Sequence, residues 1–193
     1  MKVEIFSDVA CPWCYIGHHR LRQAVRLYEG DVEVSLRPFQ LNPDQASNGE
    51  PLLPALERKF GGAARVAQMT GRVAGVAAQD GLDLRFDRAI AANTFEAHRL
   101  IWLAGRAGRE ADMADRLFRA HFTDGLDIGD PATLAALAAE TGVEDTGEGA
   151  DEVRAGLARA HALGVSAVPL FLFEEKYAVS GAQPVETLVA ALR

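Results

Sequence analysis

Lys2-Val3-Glu4-Ile5-Phe6-Ser7-Asp8-Val9-Ala10-Cys11-Pro12-Trp13-Cys14 contains both cysteines of the chain and opens with alternating apolar and polar residues. Such alternation is the pattern of a half-buried strand. Beyond Cys11 the period changes. Ile16, Leu21, Val25 and Tyr28 recur at helical spacing, and Pro12 suits a first helical position, where a missing N–H costs nothing. Gly30 stops the helix, Val32, Val34 and Leu36 alternate as a second strand, and Pro38 ends it. The start of the chain therefore reads as strand, helix, strand, with a Cys-x-x-Cys pair at the first strand-to-helix turn.

From Phe39 onward the character changes. Asn42-Pro43-Asp44 and Asn48-Gly49 are turn-forming, and the long stretch beyond them is rich in Ala, Leu and Arg with helical periodicity. Helices are predicted near 51–60, 62–79, 88–107, 109–123 and 131–141, the last capped by Asp130 with Pro131 at its first position. A helix near 149–163, two short strands in 170–173 and 177–180 about a Glu174-Glu175-Lys176 turn, and a last helix over 184–192 complete the chain. The order βαβ, helical block, αββα is that of an α/β thioredoxin fold interrupted by an all-helical insertion domain. Residues 1–42 and 146–193 would form the thioredoxin-like domain and 43–145 the insertion.

The 193 residues, 49% of them hydrophobic, suffice for a packed core, and a net charge of -7 argues against nucleic acid or an anionic membrane as partner. Met1-Lys2 leads straight into the first strand, with no basic and apolar leader, and no apolar run approaches the roughly 20 residues that span a bilayer. A soluble cytoplasmic protein is expected. The ring closed by Cys11 and Cys14 is too small to constrain an unfolded chain, so the pair reads as chemical: catalytic or metal-binding.

Disulfide exchange needs a thiolate, and a helix N-terminus stabilises one. Cys11 is therefore expected to be the exposed, attacking thiol, and Cys14, one turn on, the buried resolving thiol. A closed zinc site wants four ligands and usually two such pairs, and there is no second pair. His18 and His19 make a Cys-Cys-His cluster conceivable, but they read as helix-surface residues, and no metal is expected. Val168-Pro169 precedes the apolar run Leu170 to Phe173, where a proline cannot donate to a sheet. Either a cis peptide turns the Val168 backbone toward an extended substrate, or a trans proline simply starts the strand. Asp8 could relay the Cys14 proton or cap the helix. Trp13 is expected at an apolar rim, and Tyr15 there or in the core.

Ser7-Asp8-x-x-Cys11-Pro12-Trp13-Cys14-Tyr15-Ile16-Gly17 resembles the active site of DsbA-like thiol–disulfide oxidoreductases, specifically their FrnE-like branch. Phe39 to Pro43, Asn93 to Leu100, Asp127 to Asp130 and Val179 to Gln183 resemble the same branch, in the same order. The resemblance implies a thioredoxin fold with a helical insertion, a cis proline at Pro169 and redox work by Cys11 and Cys14. Exported DsbA carries His where this chain has Trp13. Indole offers no positive charge to a thiolate, so a less oxidising disulfide is expected. His98, within one of the resembling segments, is expected to be packed and hydrogen-bonded more than directly catalytic.

Three function classes fit these residues. The first is a thiol–disulfide oxidoreductase or isomerase acting on disulfide- or thiol-containing proteins or small molecules, without a cofactor beyond its dithiol. Pro12, Trp13, Val168 and Pro169 would contact the substrate, and Asp8, His98 and Gln183 would support. The second is a glutathione-dependent isomerase or tailoring protein for aromatic or polyketide compounds, similar to 2-hydroxychromene-2-carboxylate isomerases and kappa-class glutathione transferases. Those relatives generally carry Ser in place of Cys11, and an acidic residue in place of Gln183 to pair with the tripeptide's ammonium. The third is a non-catalytic peptide-binding chaperone or metal binder.

Overall fold

A computed structural model describes the whole chain, residues 1–193. Its elements run β1 (Lys2–Ser7), α1 (Pro12–Leu27), β2 (Glu33–Pro38), α2 (Leu52–Phe60), α3 (Ala63–Gln79), α4 (Phe95–Arg106) and α5 (Glu110–Arg119). A π-helical turn at Ala120–Asp124 leads on to α6 (Pro131–Glu140), α7 (Ala150–Ala162), β3 (Leu170–Phe173), β4 (Tyr177–Ser180) and α8 (Val185–Ala191). The four strands form one sheet in the order β2-β1-β3-β4, with β1 and β2 parallel and the other pairs antiparallel. The α/β thioredoxin fold with a helical insertion, as expected from the element order, is the fold observed. No helix is long and apolar enough to cross a membrane.

Strand alternation decides what each sheet face meets. Val3, Ile5, Phe171 and Phe173 point to one side and pack on Leu21 and Ala24 of α1, on Leu188 of α8 and on Leu192 just beyond it. The larger core lies on the far side of α1, where Cys14, Tyr15 and Ile16 meet Ala97, Leu100 and Ile101 of α4 and Leu117 and Phe118 of α5. α1 is thus clamped between the sheet and the insertion, which fixes its N-terminus. Two glycines permit close approaches: a Cβ on Gly17 would lie 2.9 Å from Pro169 Cγ, and one on Gly156 of α7 would lie 2.6 Å from Pro38 Cγ.

Two predicted helices are corrected. The helix expected over 88–107 begins only at Phe95, because the preceding residues pair with the segment before α2. Ile90 bridges Pro51, the Ala91 N–H donates to the Glu50 carbonyl at 2.8 Å, and the Leu52 N–H donates to the Ala89 carbonyl at 2.8 Å. The helix expected over 109–123 ends as α5 at Arg119 and widens into the π-turn, where the Phe122 carbonyl accepts from the Arg85 N–H. His18 is another correction. It is interior rather than on the helix surface, with Nδ1 2.9 Å from Asp115 Oδ1.

Candidate active site

The dithiol stands where β1 hands the chain to α1. Cys11 occupies the N-cap position in extended backbone geometry, Pro12 is the first helical residue, and no side chain caps the helix. The Cys11 N–H donates to the Asp8 carbonyl at 3.0 Å, and the Cys11 carbonyl accepts from Cys14 N–H at 3.0 Å. Pro12 has no N–H and the Tyr15 N–H also donates to the Cys11 carbonyl, at 3.2 Å, so Trp13 carries the one first-turn N–H without a backbone partner, beside Cys11 at the positive end of the helix. Asp8 bonds no N–H of α1 itself; its Oδ1 accepts from the Ala10 N–H in the turn before the helix, at 3.4 Å.

Cys11 was expected to be exposed, and it is not: it is 3% exposed, because the Val168-Pro169 segment lies over it, with Cys11 Sγ 3.8 Å from the Val168 carbonyl oxygen. The Val168–Pro169 peptide is cis. Cys14 is fully interior. Burial and the neighbouring Cys11 raise its thiol well above the ordinary range, against the opposing pull of the Asp8 backbone N–H and the Ser7 hydroxyl. Trp13, 36% exposed, presents its ring to solvent at the mouth of the site, while Tyr15 is core, stacked on Phe118 at 5.1 Å between ring centres.

Behind the dithiol lies a polar knot. Asp8 Oδ2 accepts from the Leu41 N–H at 2.7 Å, and Oδ1 stands 3.5 Å from His98 Nε2, which itself bonds the Phe39 carbonyl at 2.9 Å. Burial alone would raise the Asp8 carboxyl, but His98, the Leu41 N–H and Thr94 together hold it below its usual range. Asp8 is thus a buried, ionised carboxylate. The fold brings Cys11, Cys14, Val168, Pro169, Asp8 and His98 together. Gln183 sits one loop away, its amide donating to the Ser180 carbonyl, in a loop tied to the site by the Gly181 N–H to Pro169 carbonyl bond of 2.8 Å.

Two buried polar residues of this region carry no sequence signal of their own. Ser7 stands in the quoted motif, but it is the end of β1 that brings its hydroxyl near enough to Cys14 to pull that thiol down. His121, in the π-turn, is wholly buried with neither ring nitrogen bonded, and burial pushes it down to about 4. A cavity of about 480 Å³ lies nearby, but its wall, which holds Ser7 and His98, includes neither cysteine, Val168 nor Pro169. It is not a cleft over the dithiol.

A family model described as a DSBA-like thioredoxin domain matches residues 2–193. A probable DsbA oxidoreductase from Streptomyces coelicolor superposes with a TM-score of 0.91 at 36% identity, over 100% of this chain and 88% of that one. Cytosolic disulfide reductase DsbM from Pseudomonas aeruginosa, solved with GSH, superposes at 0.64 with 24% identity, over 100% and 97%. A 2-hydroxychromene-2-carboxylate isomerase superposes at 0.72 with 15% identity, over 100% and 94%. The last two similarities speak to the fold alone.

Proposed function

This chain belongs to the DSBA-like thioredoxin domain family, and from that premise we propose that it is a cytoplasmic thiol–disulfide oxidoreductase worked by Cys11 and Cys14. The observation that carries the reading is the pair itself: Cys11 at the open N-terminus of α1, against the Val168 carbonyl, with Cys14 one turn deeper. In the reductive direction the Cys11 thiolate attacks one sulfur of a substrate disulfide. A mixed disulfide forms, the substrate S–S bond breaks, and one substrate sulfur leaves as thiolate and takes a proton. Cys14, once deprotonated, attacks the Cys11 sulfur and expels the second substrate thiol. The substrate gains two electrons and the dithiol loses them; the same steps run backward oxidise a dithiol substrate.

Each supporting residue has one task in this scheme. The Ser7 hydroxyl and the Asp8 N–H stabilise the Cys14 thiolate that resolution requires, since burial opposes its formation. The Val168 backbone, beside Cys11, offers hydrogen bonds to an extended substrate, and Trp13 gives it an apolar rim. The substrate is a protein or small molecule carrying a disulfide or thiols. Replacing Cys14 by Ser should leave attack intact and trap mixed disulfides, visible as adducts that a reducing agent releases, whereas Cys11→Ser should trap none. Adducts on Cys11→Ser in place of Cys14→Ser would reverse the assignment, and none on either would remove it.

A further inference from the structure

The sheet and the insertion do not close fully on one another. The cavity of about 480 Å³ lies between the carboxyl ends of β1 and β2 and helices α4, α5 and α7. Its size is that of a small-molecule site, and the carboxyl ends of strands are where open α/β sheets take ligands. One wall is apolar, built from Leu36, Ile101, Trp102, Phe118 and Val153.

The charges along the rest select the ligand. Glu4, Glu110, Glu152 and Glu175 line the cavity together with Arg37 and Arg159. Both arginines are engaged by Glu4, at 2.5 Å from Arg37 and 2.6 Å from Arg159, and Arg159 also stands 3.9 Å from Glu175. Glu152 lies exposed at the rim. Glu110 is left over. It is partly buried and in no ion pair, and burial raises its carboxyl above the usual range, against the Leu36 backbone N–H and the longer-range pull of Arg37 and His18. A cation beside it would supply the missing partner. The excess of carboxylates over guanidiniums gives the cavity a field that draws cations and repels anions. No group of His, Cys, Asp or Glu side chains converges as a metal site would require, and the apolar wall offers a metal ion nothing.

We propose that this cavity binds a small amphipathic amine, its ammonium on Glu110 and its apolar or aromatic body against Trp102, Ile101 and Phe118. The site is separate from the substrate position over Cys11. It shares with the dithiol only Ser7 and His98, so it stands or falls independently of the redox reading.

Trp102 reports on it directly. In Trp13→Phe protein it is the remaining tryptophan of two, so its emission follows occupancy of the cavity. The probes are three molecules of one shape, 2-phenylethylamine, 2-phenylethanol and 3-phenylpropanoate, titrated in mildly alkaline buffer. A saturable change is expected with the amine, about tenfold weaker binding with the alcohol, and none with the acid. Glu110→Gln should weaken the amine by about tenfold, to the level of the alcohol. Ala155→Phe, at an exposed position of the cavity mouth, should block amine and alcohol alike without disturbing the core. The proposal is overturned if the acid binds as well as the amine. It is overturned equally if folded Glu110→Gln and Ala155→Phe proteins bind the amine like their parent, or if no probe gives a saturable signal up to about 10 mM.

Discussion

Trp13 touches solvent rather than core, so it can be exchanged without disturbing the helix that aims Cys11. Trp13→His would place a donor and a possible positive charge beside the thiolate. That stabilises the reduced form, so the variant should be more oxidising by tens of millivolts, on a scale where ~30 mV corresponds to roughly 1.4 kcal/mol. A glutathione redox titration of both proteins measures it, and an unchanged or lower potential would show that another group sets the poise. Ser7 acts on the second thiol instead. Its hydroxyl bears on Cys14, so Ser7→Ala should leave the first attack unaltered and slow resolution by on the order of fivefold, the loss of one hydrogen bond. Stopped-flow release of the second substrate thiol separates the two steps. Cys11, Cys14 and Pro169 were legible because each breaks a local pattern: a lone Cys-x-x-Cys, and a proline opening an apolar strand. The burial of Cys11 was not, since the segment that covers it lies 157 residues away in sequence, at Val168.

Helices and strands were read well where one period governs them and poorly where tertiary pairing overrides it. Ala89 to Ala92 have helical composition, yet their backbone groups serve the segment before α2, which no periodicity records. The π-turn at Ala120–Asp124 is likewise a choice made by its neighbours, Arg85 among them. The β3–β4 turn shows the reverse case, a turn that forms without favourable residues. Glu174 and Glu175 both take the left-handed conformation, at φ 50° and 56°, where the tight hairpin favours Asn-Gly. Glu174 has compensating contacts, since its carboxylate accepts from the Lys2 N–H at 2.5 Å and stands 3.8 Å from the N-terminal ammonium. Glu175 does not, being exposed with one weak ion pair to Arg159 at 3.9 Å. Glu175→Gly should therefore raise stability by about 0.5–1 kcal/mol, with a gain of a few degrees in melting temperature. A lower melting temperature would mean that the Arg159 pair outweighs the backbone strain.

At the scale of the whole molecule, the buried histidines make stability depend on pH below neutrality. His121 is wholly buried with no partner on either nitrogen, and burial pushes it down to about 4, against a weak opposing pull from Asp8. In the unfolded chain the same imidazole titrates near 6.5. Between those values the unfolded state binds the extra proton, so stability is lost as pH falls from about 6.5 toward 4. The loss from this one residue is roughly 2 kcal/mol by pH 5. His18 is buried too, with Asp115 2.9 Å from its Nδ1, and burial pushes it down to about 4 as well, so it adds a loss of its own over the same range. Glu110 works in the other direction: raised by burial, it stabilises the fold on acidification. Replacing His121 by Leu, similar in size, removes both the orphaned nitrogens and the proton site. The variant should be more stable by about 1–2 kcal/mol at neutral pH, from relief of unpaired polar atoms. It should also lose about 2 kcal/mol less than the parent between pH 7.5 and 5. Urea unfolding of both proteins at the two pH values measures the difference of differences, in which Glu110 and every other shared group cancel. Equal losses in the two proteins would show that His121 takes up its proton in the folded protein as readily as in the unfolded chain, and that the acid limb belongs to another group.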